Sequence, residues 1–284
     1  MTWQPRGPAW LFCPADRPER FAKAAAAADI VILDLEDGVA PAQKPEARQA
    51  LIDTPLDPEL TIVRINPHGT EDFSPDLEAL AATSYSRIML PKCESGELPE
   101  ALDGIDVVAL IETPLGAMRL PEIVANDSVV GVMWGAEDLI AGLGGTSSRT
   151  PSNVYRDVAR HVRGSVLLAA KSTGTLAIDS VYLDIKDLVG LAEECDDAVA
   201  SGFDVKVAIH PSQVPTIAKG FAPTPDSVTW AHRVLDAASG ERGVFAFEGR
   251  MVDAPVIRHA EQILRRHTAA AASTLAPSTP NSSH

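Results

Sequence analysis

Cysteine is scarce in this 284-residue chain: Cys13, Cys93 and Cys195 lie far apart and form no CxxC pair. Such usage excludes a disulfide framework or a thiolate zinc site and points to a reducing, cytoplasmic setting. Long apolar runs are missing as well. No segment reaches the roughly 20 residues needed to cross a bilayer, and no apolar core follows a basic start as in a signal peptide. Basic residues are outnumbered, 24 Lys and Arg against 39 Asp and Glu, giving a net charge of −15. Nucleic acid and anionic membranes are poor general partners for such a chain. An anionic small molecule remains open wherever bases gather locally. No GxGxxG follows the first strand, which weakens a dinucleotide-binding reading.

What is present is a globular composition, 45% hydrophobic and 22% charged, sufficient for a sizeable core. Short β-rich runs alternate with helical stretches almost from end to end. Strands are expected near Ala9-Cys13, Ile30-Leu35, Thr61-Ile65, Arg87-Pro91, Val107-Ile111, Val129-Trp134, Leu176-Tyr182 and Val205-Ile209. Helices are expected from Asp16 as N-cap through Ala28, and at Lys44-Ile52, Leu77-Thr83, Met118-Ala125, Ser152-Thr173 and Asp187-Ser201, with a short turn at Leu98-Leu102. Strand and crossover repeated in this way imply a parallel α/β sheet, and eight strands favour a closed (β/α)8 TIM barrel over an open doubly wound sheet. Barrels of about 250 residues commonly form one domain.

A barrel presents its chemistry at the C-terminal strand ends. In order, that rim offers Asp34, Glu36 and Asp37; Arg64 and Asn66; Lys92; Glu112; Glu137 and Asp138; Asp179; and His210. Glu112 and Asp138 each end a buried, apolar run. Two carboxylates held there repel unless a cation or proton lies between them. Mg2+, a hard ion that takes oxygen ligands and keeps positions for substrate, is the economical occupant. The bland alternative is a pair of loop carboxylates satisfied by backbone amides, with Arg64 as their salt-bridge partner. In the functional alternative Arg64 aims its planar fork at a carboxylate or an enolate oxygen.

Other features read as structural. His210, before Pro211, orders the last strand; Cys13 and Cys93 are buried strand-end thiols; Trp134 packs at the rim. The Gly142-Leu143-Gly144-Gly145 stretch lacks a phosphate-loop lysine and reads as a mobile connection. Arg17, Arg20 and Lys23 on the first helix form either a solvated face or a seat for the phosphates of an anionic cofactor. The barrel, at 1–220, is expected to end with a helix at Ser212-Lys219, and the segment 221–267 carries a helix at Pro225-Ser239, a small hairpin near Gly243-Asp253 and a last helix to about His267. That segment is read as a lid, or an arm for a neighbouring subunit. Residues 268–284, rich in Ala, Ser, Thr and Pro, are expected to form a disordered tail.

Several of these segments together resemble a known family. Leu11-Phe12-Cys13-Pro14-Ala15-Asp16-Arg17-Pro18-Glu19-Arg20-Phe21, Leu33-Asp34-Leu35-Glu36-Asp37-Gly38-Val39, Val63-Arg64-Ile65-Asn66, Leu90-Pro91-Lys92, Ile111-Glu112-Thr113-Pro114 and Gly135-Ala136-Glu137-Asp138-Leu139 are similar to the citrate lyase β-subunit group of the aldolase family that includes malyl-CoA and citramalyl-CoA lyases. The resemblance implies a barrel holding Mg2+ through Glu112 and Asp138, with a 2-oxo acid on the metal near Gly135 and Ala136. It implies that Arg64 contacts substrate and stabilises a thioester enolate, and that Glu36 and Asp37 support the metal's water shell. Arg20 and Lys23 fall where relatives meet the CoA phosphates, CoA being part of the substrate. Asp253, in Gly249-Arg250-Met251-Val252-Asp253-Ala254-Pro255, matches an aspartate delivered into a neighbouring subunit's site, in homo-oligomers that are trimers or dimers of trimers. The activity implied is lyase cleavage of a 3-hydroxyacyl-CoA thioester to an acyl-CoA and a 2-oxo acid. A thioesterase or synthase-like hydrolase, a β subunit of a multienzyme citrate lyase working on a carrier-protein thioester, and a non-catalytic metabolite-binding protein are the alternatives.

Overall fold

The computed structural model describes residues 3–240 and 243–274. Eight parallel strands close into one barrel in sequence order: β1 Ala9–Pro14, β2 Ile30–Asp34, β3 Thr61–Arg64, β4 Arg87–Leu90, β5 Asp106–Ile111, β6 Val129–Trp134, β7 Leu176–Asp179 and β8 Val205–Ala208. Closure is made by β1 against β8, with Trp10 opposite Val207. The expected (β/α)8 fold is therefore the observed one. β2, β4 and β6 are buried along their whole length, as strands covered on both faces must be.

One cluster of buried side chains draws on every strand: Trp10, Ile30, Ile32, Ile62, Met89, Val108, Leu110, Val130, Met133, Ile178, Val205 and Val207. The two-residue spacing within β2, β5 and β8 marks these as the inward positions, and they fill the barrel as a packed interior. A register shift between Val107 and Val108 against β6 resets the phase of that strand. It leaves Gly131, Met133 and Gly135 on the inward series.

The crossovers carry α1 Phe21–Ala27, α2 Lys44–Asp53, α3 Phe73–Ala81, α4 Pro114–Met118, α5 Leu120–Val124, α6 Ala136–Gly142, α7 Asp157–Thr173 and α8 Leu188–Ser201, followed by α9 Val214–Phe221. Some boundaries differ from expectation for local reasons. The first crossover opens as a 3-10 turn at Pro18–Arg20 capped by Arg17, without a side-chain bond from Asp16. Of the helix expected over 118–125 the structure keeps α5, Leu120–Val124, with Pro121 in its first turn, while Met118 ends α4. The Gly142–Gly145 stretch closes α6, with Gly144 N–H donating to Ala141 O and Gly145 N–H to Ile140 O.

Contacts divide the chain into the units Met1–Ile217 and Ala218–His284. In the second, α10 Pro225–Ala238, α11 Ala254–Thr274 and a hairpin of β9 Phe245–Phe247 with β10 Arg250–Val252 share a small core of Ala231, Val234, Val252, Ala260 and Ile263. Glu248 and Gly249, with φ of 50° and 73°, form the two-residue turn whose twist suits a hairpin. α11 continues to Thr274, past residue 267 where the sequence suggested a disordered tail; 275–284 lie outside the described residues. Among the described residues, no helix is long and apolar enough to cross a membrane.

Candidate active site

The alternation that fills the barrel also decides which rim residues face its mouth. Phe12 follows Trp10 by two, Asp34 follows Ile32, Arg64 follows Ile62, Glu112 follows Leu110, Gly135 follows Met133 and Ser180 follows Ile178. Five of these six, Asp34 excepted, line a cavity of about 190 Å3, joined by Ala136, Asp138, Arg149 and Tyr155.

Arg64 is locked by a two-pronged bond to Asp34, Nε to Oδ1 at 2.7 Å and Nη2 to Oδ2 at 2.6 Å. Its Nη1 lies 2.9 Å from Glu36 Oε2, and the guanidinium rests over the Phe12 ring at 4.7 Å. Asp34 is itself fixed by amides of Glu36 and Gly38, and a Cβ at residue 38 would come within 2.3 Å of its Oδ2. The sequence alternative that made Arg64 the partner of Glu112 and Asp138 is therefore corrected: its partners are Asp34 and Glu36. Nη1 and Nη2 each retain a second N–H, and the side chain lines the cavity.

Glu112 is buried and its Oε1 accepts the Lys92 backbone N–H at 3.0 Å. Its carboxyl is raised to about 8: burial is the largest cause, the Lys92 charge opposes it, and Glu36 and Asp138 add to the rise. Gly135 makes room for this carboxylate, since a Cβ there would stand 2.8 Å from both Cβ and Oε2 of Glu112. Asp138, in the first turn of α6, is part-exposed, whereas its neighbour Glu137 is engaged by the Ser148 hydroxyl at 2.6 Å. Lys92 stands among the acids. Its ammonium bonds Glu36 Oε1 and lies 3.5 Å from Asp37, 3.9 Å from Glu112 and 3.4 Å from Asp138. Its backbone is left-handed, at φ 50°, a conformation uncommon outside glycine that turns the N–H onto Glu112.

The structure thus gathers Glu36, Asp37, Arg64, Glu112, Gly135, Ala136 and Asp138, and it adds residues that the sequence did not single out as a site. Lys92 was noted only as a strand end. Asp34 was named only as a rim acid, although its place two residues after an inward isoleucine marks it as facing the mouth; Arg149 and Tyr155 carried no recognised signal. Arg149 and Tyr155 come from the long connection before α7. The Arg149 guanidinium lies 3.6 Å over the Tyr155 ring and donates to Glu194 at 2.7 Å.

Asp179 does not join the rim. It follows inward Ile178 by one residue, so it faces the helix layer, where it is fully buried and accepts from Trp134, Arg163 and Lys206. Lys206, between inward Val205 and Val207, faces outward in the same way. His210 accepts the Ser212 N–H through Nδ1 in a capping box, as a structural histidine does. The three thiols are buried, and burial raises each of them. Arg20 and Lys23 are exposed on the first crossover, and Arg20 faces Glu19 at 3.7 Å. Asp253 belongs to the second unit and meets the Val256 N–H at the start of α11 at 3.5 Å.

The residues present fit a hard divalent ion that needs only one or two protein carboxylates. Glu112 and Asp138 are the carboxylates that could serve as such a pair, the first buried against Gly135, where a Cβ would come within 2.8 Å of it. Glu36 Oε2 is a buried oxygen with no aligned hydrogen bond among the described residues. Among those residues no group of three or more His, Cys, Asp or Glu side chains is placed to hold a metal ion.

A closed parallel barrel with carboxylates, a fixed guanidinium and a small cavity at its C-terminal mouth has the layout of a barrel enzyme's active site. Residues 9–211 match the model of the HpcH/HpaI aldolase/citrate lyase family, and the chain belongs to that family. It is 63% identical over 266 residues to the citrate lyase subunit beta-like protein of Mycobacterium tuberculosis, covering 94% of this chain and 97% of that one. It is 30% identical to the mitochondrial citramalyl-CoA lyase of Homo sapiens, over 82% of this chain and 77% of the relative. Among solved structures, protein CitE of Mycobacterium tuberculosis in complex with magnesium, acetoacetate and coenzyme A is similar with a TM-score of 0.88 at 63% identity, over 92% of this chain and 98% of that one.

Proposed function

We propose that this chain is a Mg2+-dependent carbon–carbon lyase that cleaves, or in reverse forms, a 3-hydroxyacyl-CoA thioester, giving an acyl-CoA and a 2-oxo acid. The observation that carries the reading is the convergence of Glu112, Asp138 and the locked guanidinium of Arg64 on one 190 Å3 cavity. Glu112 and Asp138 hold the metal; bound there, Mg2+ supplies a Lewis acid that lowers the pKa of the substrate hydroxyl and favours the carbonyl of the product. Glu36 and Asp37 hold its water shell.

The remaining roles follow from the chain's own groups. In cleavage the hydroxyl proton passes to a carboxylate of the mouth, the hydroxyl carbon becomes the carbonyl of the 2-oxo acid, and the electrons of the broken carbon–carbon bond move to the thioester carbonyl as an enolate. Arg64 meets the enolate oxygen so formed with N–H donors already fixed by Asp34, so little reorganisation is needed as charge develops. The Ala136 N–H, unpaired within the helix it begins, faces the 2-oxo acid carboxylate, and Gly135 leaves room for it. Asp253 of a neighbouring copy exchanges the proton at the enolate carbon, and exclusion of water around it makes the carboxylate a stronger base. Arg20 and Lys23 meet the CoA phosphates. The working form is a homo-oligomer, a trimer or dimer of trimers, in the cytoplasm, with the 221–267 segment as the arm between copies.

Incubation with malyl-, citramalyl- and citryl-CoA, following free thiol and 2-oxo acid separately, tests the reading. The expected result is Mg2+-dependent release of 2-oxo acid without free thiol. Thiol released in step with a hydroxy acid would replace the lyase by a thioesterase, and turnover restricted to a carrier-protein thioester would make the chain a citrate lyase subunit.

A further inference from the structure

The acids of the mouth come from separate parts of the barrel: Glu36 and Asp37 from the connection after β2, Glu112 from the end of β5 and Asp138 from α6. One ammonium reaches all of them, that of Lys92, within hydrogen-bond or ion-pair range of Glu36 and between 3.4 and 3.9 Å from the others. Glu36 has a second cation in Arg64. Among the described residues, Lys92 is the only cation paired with Glu112 or Asp138. Its two ends behave differently. The backbone is pinned, with φ 50° and its N–H on Glu112. The side chain is 34% exposed and ends a flexible stem, so its ammonium has room to move without disturbing that amide bond.

We propose that Lys92 is a built-in counter-cation of this cluster: its ammonium draws the carboxylates together in the metal-free protein and competes with the divalent ion for Glu112 and Asp138, so that it sets the metal affinity of the site. The inference rests on the reading of those two acids as metal ligands. An ammonium and a divalent ion cannot share the same pair of carboxylates without strong repulsion in a partly desolvated cleft. When the ion enters, the ammonium withdraws towards Glu36 and Asp37, which lie on the β2 side and already engage it. Lys92 is in this sense a positioning residue. It keeps the metal-free site assembled at the cost of weaker ion binding.

The sign of the effect separates this role from simple support. Titration of Mg2+ alone into the metal-free full chain, by calorimetry, compares wild type with Lys92→Met, Lys92→Gln and Lys92→Arg. The competing-cation role expects Mg2+ to bind about tenfold or more tightly to Lys92→Met and Lys92→Gln, while Lys92→Arg stays near wild type. It also expects the melting temperature of the uncharged variants to fall without metal and to rise on adding Mg2+ by more than in wild type. Lys92→Gln retains a hydrogen-bond donor for Glu36 and covers the case in which the methionine variant does not fold. Affinity equal to or weaker than wild type in the uncharged variants overturns the proposal and leaves the metal reading standing. Wild type that takes up no Mg2+ overturns the metal reading and this inference with it.

Discussion

At position 135 a hydrogen atom stands where any other residue would place a carbon 2.8 Å from the Glu112 carboxylate. Gly135→Ala must therefore move a short, buried side chain that has no flexible end to yield. The expected outcome is a loss of at least about tenfold in Mg2+-dependent 2-oxo acid affinity by calorimetry, a change of about 1.4 kcal/mol. Overpacking would cost about 1–3 kcal/mol of stability in urea, with the barrel intact by circular dichroism. Glu112→Gln and Asp138→Asn keep shape and remove charge, and either should abolish Mg2+-dependent oxaloacetate binding; unchanged binding would sink the metal assignment. Arg64 is tested by replacement with lysine. A point-charge ammonium cannot reproduce the paired hydrogen bonds to Asp34 and also face the cavity. Turnover should fall by about 10²–10³ with a smaller change in KM, since the lost contact belongs to the developing enolate.

At the scale of elements, β7, β8, α7 and α8 are tied by a buried charge network centred on Asp179 and Lys206. Burial pushes Asp179 upward, but the Lys206 ammonium, Arg163 and the Trp134 N–H outweigh it and hold its carboxyl at about 2, below the ordinary 3.8. A carboxyl depressed in the folded state binds fewer protons there than in the unfolded chain. Its stabilisation is therefore complete above about pH 4 and is lost as pH falls through 2. Asp179→Asn removes one of the two carboxylates that hold the buried Lys206 ammonium, Glu194 remaining at 3.0 Å, and should cost up to about 3 kcal/mol at pH 7. Urea denaturation from pH 7 to 3 should show the wild-type advantage narrowing in the acid range; a difference constant across that range would argue against the ion pair. The same pair shows how far the sequence could be read. β-branched runs and their polar ends were legible, and so were the eight strands, the barrel and the positions of Glu112 and Asp138. Asp179 was placed on the rim by counting strand ends alone; the alternation through Ile178 turns it to the helix layer. α6 was hidden because its sequence runs into Gly142–Gly145, which reads as loop but serves as the helix's C-terminal cap. Lys92 could not be assigned its place, since a positive φ at a lysine leaves no mark in composition or period. Arg149 and Tyr155 reach the cavity from a long connection, a proximity that only the closed barrel creates.

At the scale of the whole molecule, the proposed reaction separates metal and proton transfer between copies of the chain. Glu112, Asp138 and Arg64 belong to the barrel unit; Asp253 belongs to the Ala218–His284 unit, at the junction of β10 and α11. If each site takes Asp253 from a neighbour, two inactive variants should repair one another. Asp253→Asn retains metal and 2-oxo acid binding but loses exchange of the acyl-CoA methyl protons, which deuterium incorporation into acetyl-CoA reads directly. Glu112→Gln loses the metal but still presents Asp253. Each homogeneous variant should therefore be inactive, whereas subunits dissociated together and reassembled create some interfaces with a metal-binding barrel on one side and an intact Asp253 on the other. In a random equal mixture about a quarter of the interfaces have that composition, by simple combination, and activity should recover to about that fraction of wild type if interfaces act independently. The arm model requires this recovery together with an assembled species by light scattering. Mixed oligomers that stay inactive would return Asp253 to its capping role on α11, and deuterium exchange persisting in the homogeneous Asp253→Asn variant would assign the proton to another residue.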